Sequence, residues 1–176
     1  MEAAVLLQEP PADFVLHLLG EIPSRWGRMP LLCRAVLVET GRLLGQLYPQ
    51  KGQRSLKKRG LSVGLVGATR HGSLVTDLDF AATMAPGPEF ASPALFGYTL
   101  ANMPLAEAAV HFGLTGPVYA LFTENDLLTT ALAEARTWLA QDNSLSLMLA
   151  CGFDHEPGPG EGRLRVSVLA VNPTTK

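Results

Sequence analysis

The chain has 176 residues, of which 47% are apolar, and its formal net charge is −2 at pH 7. This length fits one domain, and the apolar share is enough to bury a continuous core. The nearly balanced charge excludes a strongly basic protein, so we predict neither nucleic acid nor a membrane surface as the main partner. No apolar run approaches the roughly 18 to 20 residues that cross a bilayer.

The cysteines and the chain start indicate the compartment. Cys33 and Cys151 have apolar neighbours and lack the CxxC spacing of zinc or redox sites. They are predicted to be buried thiols, outside any disulfide framework. Residues 1–8 carry Glu2 in place of a basic region, and they lack the apolar length and cleavage site of a signal peptide. We therefore expect a cytoplasmic protein. We also expect it to bind no cofactor.

The N-terminal part predicts helices and a basic connection. Residues 11–20 form either a short helix or an irregular apolar arm, since periodicity over so few residues does not decide. From Pro30 to Leu47, apolar residues recur at helical spacing, which predicts an amphipathic helix packed on a core. The connection at 49–60 is either a solvated segment or a docking patch for an acidic partner such as a carrier protein. Its basic residues are Lys51, Arg54, Lys57, Lys58 and Arg59, with no acid among them.

Strand patterns occur near the middle and the end of the chain. Leu61–Val66 predicts a buried strand followed by a glycine-containing turn, which lacks the GK[ST] and GxGxxG patterns of nucleotide-binding loops. Leu145–Cys151 predicts a second buried strand. The Gly/Pro-rich tract Asp154–Gly162 is then interpreted as a connection to a final strand, Arg163–Val171. Strands alternating with helices predict an α/β layered sheet with helices on both faces.

Few titratable residues in or near the predicted strands are candidates for catalysis or metal binding. His71 follows the first strand, and the sequence identifies no partner for it, so we interpret it as a surface or turn histidine. Asp154, His155 and Glu156 carry metal-ligand atoms, but three adjacent residues rarely converge on one ion. We therefore predict no metal site.

The segment Gly113–Leu132 combines a turn, a strand, an elbow and a helix start. Val118–Phe122 is a short β-branched and aromatic strand, and the following polar residues offer N-caps for a helix over 126–140. That helix has apolar residues on more than one side, so we predict it to be largely buried. A helix N-terminus favours anions and thiolates, which makes this elbow a suitable place for a nucleophile. The candidate positions hold Glu124, Asn125 and Asp126.

Several motifs together point to a family. The chain contains GLVG at 64–67, SPALF at 92–96, TLANMP at 99–104 and AAVHFGLTGP at 108–117, the last within a helix predicted over 104–112. Their order and spacing resemble the N-terminal half of the β-ketoacyl synthases of fatty acid and polyketide synthesis. The resemblance extends from about residue 28 to residue 152. We expect a single domain over 1–176 with a divergent N-terminal arm at 1–27.

The resemblance implies a fold and a missing nucleophile. The family has a thiolase-like layered fold of two similar halves, and this chain is long enough for a single N-terminal half, with a mixed sheet of the five-stranded type. The family's nucleophilic cysteine lies eight residues after the proline of the Gly-Pro pair, where this chain has Asn125. Asparagine cannot form an acyl thioester, so the condensation chemistry is not carried over. The family's other catalytic residues belong to the C-terminal half.

The expected function is therefore a non-catalytic subunit like the chain-length factors, which pair with an active ketosynthase and shape its acyl tunnel. A single half leaves a face open, which predicts a synthase partner, a second copy, or coverage by the N-terminal arm. In the family, the strand before the nucleophile lies at the dimer interface. The predicted interface residues are accordingly Val118, Tyr119, Ala120, Leu121 and Phe122.

Two alternatives remain open. The chain could be a stand-alone scaffold that binds an acyl chain or an acyl carrier protein through the basic residues of 51–59. It could also be an enzyme, such as a decarboxylase of malonyl groups, that uses Glu124, Asn125 or Asp126 to stabilise an enolate.

Overall fold

The computed structural model describes residues 12–49, 56–160 and 162–173. Lys51 and Arg54 of the predicted docking patch lie outside these residues. The described strands are β1 (Val63–Thr69), β2 (Val118–Phe122), β3 (Leu147–Glu156) and β4 (Arg163–Val171). The α-helices are α1 (Ala12–Leu19), α2 (Leu31–Leu47), α3 (Leu74–Thr83), α4 (Pro93–Phe96), α5 (Met103–Phe112) and α6 (Leu127–Gln141). Short 3-10 helices occur at Trp26–Arg28, Leu56–Arg59 and Pro88–Phe90.

Within the described residues the sheet is mixed and has four strands, in the order β2-β1-β3-β4. β1 runs parallel to both β2 and β3, and β3 and β4 form an antiparallel hairpin. Parallel strands need crossover connections. Helices α3 to α5 lie in the connection from β1 to its neighbour β2, and α6 connects β2 to β3 on the other side of β1. The fifth strand that the resemblance implies is not among the described residues.

The larger hydrophobic core lies between one face of the sheet and helices α2 and α5. β1 is buried along its whole length, as its continuous apolar sequence predicts. Leu37, Leu105 and Phe112 are fully buried in this core. Gly41 lets α1 and α5 approach α2 closely, because a Cβ atom there would lie 2.7 Å from the Leu19 side chain.

Helix α6 covers the opposite face of the sheet. Ala131 and Ala135 are buried against this face, in a smaller core that contains Val66 and Met148. These two alanines are the buried residues of α6, so the prediction of a largely buried helix is wrong. Four further apolar residues of α6 pack against this core but stay partly exposed, namely Leu127, Leu132, Trp138 and Leu139.

The described part of the N-terminal arm joins the core through helix α1. α1 ends at Gly20, whose φ of 76° is the left-handed conformation that glycine adopts at a helix end. Val15 is fully buried, and α1 packs on α2. Cys33 and Cys151 are free and buried, as predicted, and burial raises the pKa of both thiols. No helix among the described residues is long and apolar enough to span a membrane.

Strand pairing corrects two predicted boundaries. β1 continues through Thr69, so the first residues of the predicted glycine turn belong to the strand. β3 continues through Glu156, which pairs with Arg163, and the connection to β4 therefore begins at Pro157. Both extensions place polar side chains at the ends of paired strands, because the backbone ladder continues past the apolar sequence.

Candidate functional site

The predicted elbow connects β2 to α6, and its residues have structural partners. Asp126 is the N-cap of α6, and its Oδ1 accepts a hydrogen bond from the backbone N–H of Thr129 at 2.8 Å. The hydrogen bonds from Thr129 lower the pKa of Asp126. Arg70 pairs with the Glu124 carboxylate at 3.2 Å and donates to the Glu124 carbonyl oxygen at 3.0 Å. These contacts hold the elbow against the end of β1.

The elbow is open to solvent at Asn125, where the resemblance predicts the nucleophile. Glu124, Asn125 and Asp126 are exposed, and the Glu124 side chain is 90% accessible. Stabilisation of an enolate depends on hydrogen-bond donors held in a water-excluded site. Glu124 and Asp126 are acceptors when ionised, and the described chain does not enclose them. The arrangement therefore favours a structural role for these residues over decarboxylation.

Strand β2 forms an edge of the described sheet. Leu65 donates to the carbonyl oxygen of Pro117 at 2.8 Å, and Thr123 donates to that of Thr69 at 3.1 Å. In a parallel ladder, alternate residues direct both backbone groups to the same neighbour. The odd-numbered residues of β2 therefore bond to β1. The backbone groups of Val118, Ala120 and Phe122 face outward, where the described chain provides no further strand.

Apolar side chains continue this edge into the region of α4. Phe122 is 67% exposed, and its ring lies over Gly72, where a Cβ atom would come within 2.8 Å of the ring. Leu100 and Phe96 are similarly exposed. The Phe96 ring packs on the Phe80 ring, with 5.6 Å between centroids, which fixes it at the surface. Large exposed apolar side chains near an open strand edge favour an interaction surface.

A polar and aromatic cluster anchors β2 to α6. The Tyr119 hydroxyl donates to the Glu134 carboxylate and accepts a hydrogen bond from Trp138 Nε1 at 2.6 Å. Burial, together with the hydrogen bond to Glu134, raises the pKa of Tyr119. The strand and the helix that follows it are thus held as one unit.

A second polar cluster lies at the carboxyl ends of β1 and β3. Asp154 is almost fully buried, and its Oδ1 accepts hydrogen bonds from Thr69 Oγ1 at 3.0 Å and from the backbone N–H of His71 at 2.9 Å. Its Oδ2 lies 2.8 Å from His71 Nδ1. Burial alone would raise the pKa of Asp154, but these hydrogen bonds and the charge interaction with His71 lower it overall. The carboxylate therefore stays ionised at neutral pH.

Sequence reasoning missed this cluster. His71 has a partner, contrary to the interpretation of an isolated surface histidine. Asp154 and His155 are adjacent in sequence but lie on opposite faces of β3, because side chains alternate along a strand. Glu156, two positions after Asp154, shares its face. The pattern of the acidic tract predicts a connection, whereas β3 in fact continues through Glu156. This longer strand is what places Asp154 beside His71.

The basic segment lies at the other end of the sheet from the elbow. Leu56 is fully buried and anchors the 3-10 helix, while Lys57 and Lys58 are exposed. The Arg59 guanidinium stacks over the Tyr48 ring, 4.6 Å from its centroid. This helix precedes β1, whereas the elbow adjoins the end of β1, roughly 20 Å away at the rise of a β-strand. The structure does not bring the described residues of the predicted docking patch close to Asn125.

Solved structures share this architecture. The chain is similar to the ishigamide ketosynthase/chain length factor, with a TM-score of 0.66 and 16% identity over 90% of this chain and 47% of that chain. It is also similar to the ketosynthase ApeO in complex with its chain length factor ApeC from Xenorhabdus doucetiae, with a TM-score of 0.58 and 16% identity over 86% of this chain and 62% of that chain. The chain has a thiolase-like fold. The predicted ketosynthase-type half-domain is confirmed at the level of the fold.

The match covers part of each solved chain. Ketosynthase twelve from the bacillaene polyketide synthase of Bacillus amyloliquefaciens matches with a TM-score of 0.57 and 10% identity over 85% of this chain and 24% of that chain. The present chain therefore spans about half the length of the ishigamide protein and less than two thirds of either of the other two. No family model matches the sequence, and no curated protein matches it either.

Proposed function

We propose that the chain is a non-catalytic, chain-length-factor-like subunit that pairs with an active ketosynthase through the edge of β2. The observation that carries the proposal is the combination, at one end of the sheet, of an open strand edge and an asparagine at the position of the family's nucleophile. The solved neighbours named as chain length factors accompany ketosynthases. A partner with the same fold would supply the catalytic cysteine that this chain lacks.

The surface beside β2 supports a protein partner. Outward backbone groups of an edge strand form hydrogen bonds with a strand of another chain, and neighbouring apolar side chains add buried area. Phe122 and Leu100 provide such side chains beside the strand. The hydrogen bonds of Tyr119 to α6 hold β2 in place before the partner binds, which lowers the entropic cost of association.

Co-purification with a neighbouring ketosynthase tests this proposal. A tagged copy of the chain is co-expressed with each cysteine-containing ketosynthase encoded beside it, and the complexes are separated by size exclusion. We expect a complex of equal stoichiometry. Isolation of the chain as a monomer in every combination would contradict the proposal, and a dimer of the chain alone would favour self-pairing through the same edge.

An edge variant tests the surface itself. Ala120→Pro removes an outward N–H that β1 does not use, so the sheet of the subunit should remain while pairing across the edge is lost. Ala120→Ser retains the N–H and serves as the matched control. We expect the proline variant to fold, by circular dichroism, and to elute without the ketosynthase. Complex formation equal to that of the serine variant would place the interface elsewhere.

An acyl carrier protein is the second partner that we propose, on the basis of the exposed basic residues Lys57 and Lys58. Carrier proteins are acidic, and complementary charge speeds encounter and selects partners. The double reversal Lys57→Glu/Lys58→Glu should weaken carrier binding at low salt, whereas Arg136→Glu, on the exposed side of α6, should not. Equal carrier binding by the wild type, the double reversal and Arg136→Glu would rule out this segment as a docking site.

A further inference from the structure

His71, Asp154 and Glu156 form a cluster separate from the β2 edge. One potential ligand atom from each residue lies within 4.8 Å of the other two. His71 follows β1, while the two acids occupy alternate positions of β3 and so share a face. We propose that this cluster binds a divalent transition-metal ion of the Zn²⁺ class.

Asp154 is oriented in the way that metal sites orient a carboxylate ligand. Thr69 Oγ1 and the His71 N–H hold Oδ1, which leaves Oδ2 to face His71 Nδ1 at 2.8 Å. The Thr69 hydroxyl is itself fixed, because its oxygen accepts a hydrogen bond from the Gly72 N–H at 2.9 Å. Outer hydrogen bonds of this kind hold a ligand in position. The 2.8 Å separation is that of a hydrogen bond, and it is shorter than the roughly 3.4 Å between neighbouring ligands of a tetrahedral ion bound at about 2.1 Å. An ion would therefore replace the shared proton, and the His71 ring would move slightly away from Asp154.

Accessibility and charge also suit an ion. The Asp154 side chain is 4% exposed, whereas His71 is 27% and Glu156 32% exposed, so an ion reaches the buried carboxylate past the other two ligands. Arg165 lies 4.0 Å from Glu156 and is itself partly exposed, so it offsets only part of the negative charge of the two acids. The negative charge that remains on the two acids would attract a divalent ion.

The ligand types indicate the class of ion. Magnesium and calcium prefer oxygen ligands, whereas imidazole suits zinc and its neighbours. Three protein ligands leave a coordination position for water, as in accessible zinc sites. The cluster lies at the carboxyl ends of parallel strands, where α/β sheets commonly bind ligands. This proposal does not depend on pairing with a ketosynthase.

Titration of the full-length chain with ZnCl₂ tests the site. The protein is treated with chelator, and zinc binding is measured by isothermal titration calorimetry for the wild type and for His71→Gln, Glu156→Gln and Thr69→Val. We expect one ion per chain, and affinity at least about tenfold weaker in each variant, because loss of even an outer hydrogen-bond partner costs about 10- to 100-fold. Circular dichroism confirms that each variant is folded, and MgCl₂ should bind far more weakly.

Matched controls separate the site from binding to surface residues. His17→Gln on α1 and Glu89→Gln remove the same side-chain types from exposed positions elsewhere. Both should retain wild-type affinity for zinc. Undiminished affinity in folded His71→Gln and Glu156→Gln, loss of affinity in either control, or no zinc binding by the wild type at micromolar concentration would overturn the proposal.

Discussion

Removing the N-cap carboxylate of α6 should destabilise the protein, because the elbow residue Asp126 stabilises the helix that covers one face of the sheet. Asp126→Ala removes the acceptor that lies 2.8 Å from the Thr129 N–H. Loss of such a cap costs about 1 kcal/mol, with a range of roughly 0.5–2 kcal/mol. In a chain of this size, that corresponds to a fall in Tm of about 2–4 °C.

The pH dependence of this effect follows from the pKa of Asp126. Hydrogen bonds from Thr129 lower this pKa in the folded state. The stabilisation is therefore present above the unfolded-state pKa and is lost as the pH falls through the lowered folded-state value. The difference in Tm between wild type and Asp126→Ala should be largest near pH 7 and should shrink towards about pH 3. Asp126→Asn retains an acceptor without a titrating group, so its Tm relative to Asp126→Ala should change little with pH.

Thermal unfolding followed by circular dichroism measures these differences. Asn125→Ala, at the adjacent exposed position, is the matched control and should change stability by less than about 0.5 kcal/mol. The structural interpretation of the elbow would be refuted if Asp126→Ala left the Tm at pH 7 unchanged, or if Asn125→Ala lowered it by the same amount.

Two further predictions concern packing and titration. Gly152→Val should lower the free energy of unfolding by about 1–3 kcal/mol in denaturant unfolding, because a Cβ atom there would lie 3.0 Å from the backbone nitrogen of Leu128 and push α6 from the sheet. The control variant Gly158→Val, in the exposed connection, should cost less. An equal cost in the two variants would contradict the packing argument. Burial and the nearby Glu107 carboxylate raise the pKa of Tyr98 to about 12, so the ultraviolet difference between wild type and Tyr98→Phe should show no tyrosinate at about pH 10.5. A tyrosinate signal from Tyr98 at that pH would show that the phenol is not buried against Glu107.

Local patterns predicted most of the elements. The apolar period from Pro30 to Leu47 corresponds to α2, and the turn signals around Gly113 correspond to the left-handed residue that ends α5, with φ of 64°. Such signals depend on neighbouring residues, which the sequence contains directly. The resemblance in the motifs between residues 64 and 117 likewise predicted the thiolase-like fold that the comparisons confirm.

Burial of α6 was mispredicted for a different reason. Its apolar residues lie on several sides, but periodicity does not show whether a second layer of protein covers them. In the described chain the sheet buries Ala131 and Ala135, while other apolar residues of α6 that pack on the same core, such as Leu132 and Trp138, stay partly exposed.

The sequence by itself determined the four strands, helices α2, α5 and α6 and the thiolase-like fold class, whereas helix α3, at Leu74–Thr83, was not predicted. It also contains Asn125 where the resemblance predicts a nucleophile. Only the tertiary structure decided which residues meet at the ends of the strands. His71 and Asp154 are separated by 83 positions in the chain and are joined because β1 and β3 are parallel neighbours whose ladder continues to these residues. The same pairing gives β2 a single described neighbour and an open edge. Both features depend on contacts between distant strands, which a pattern read along one segment does not contain.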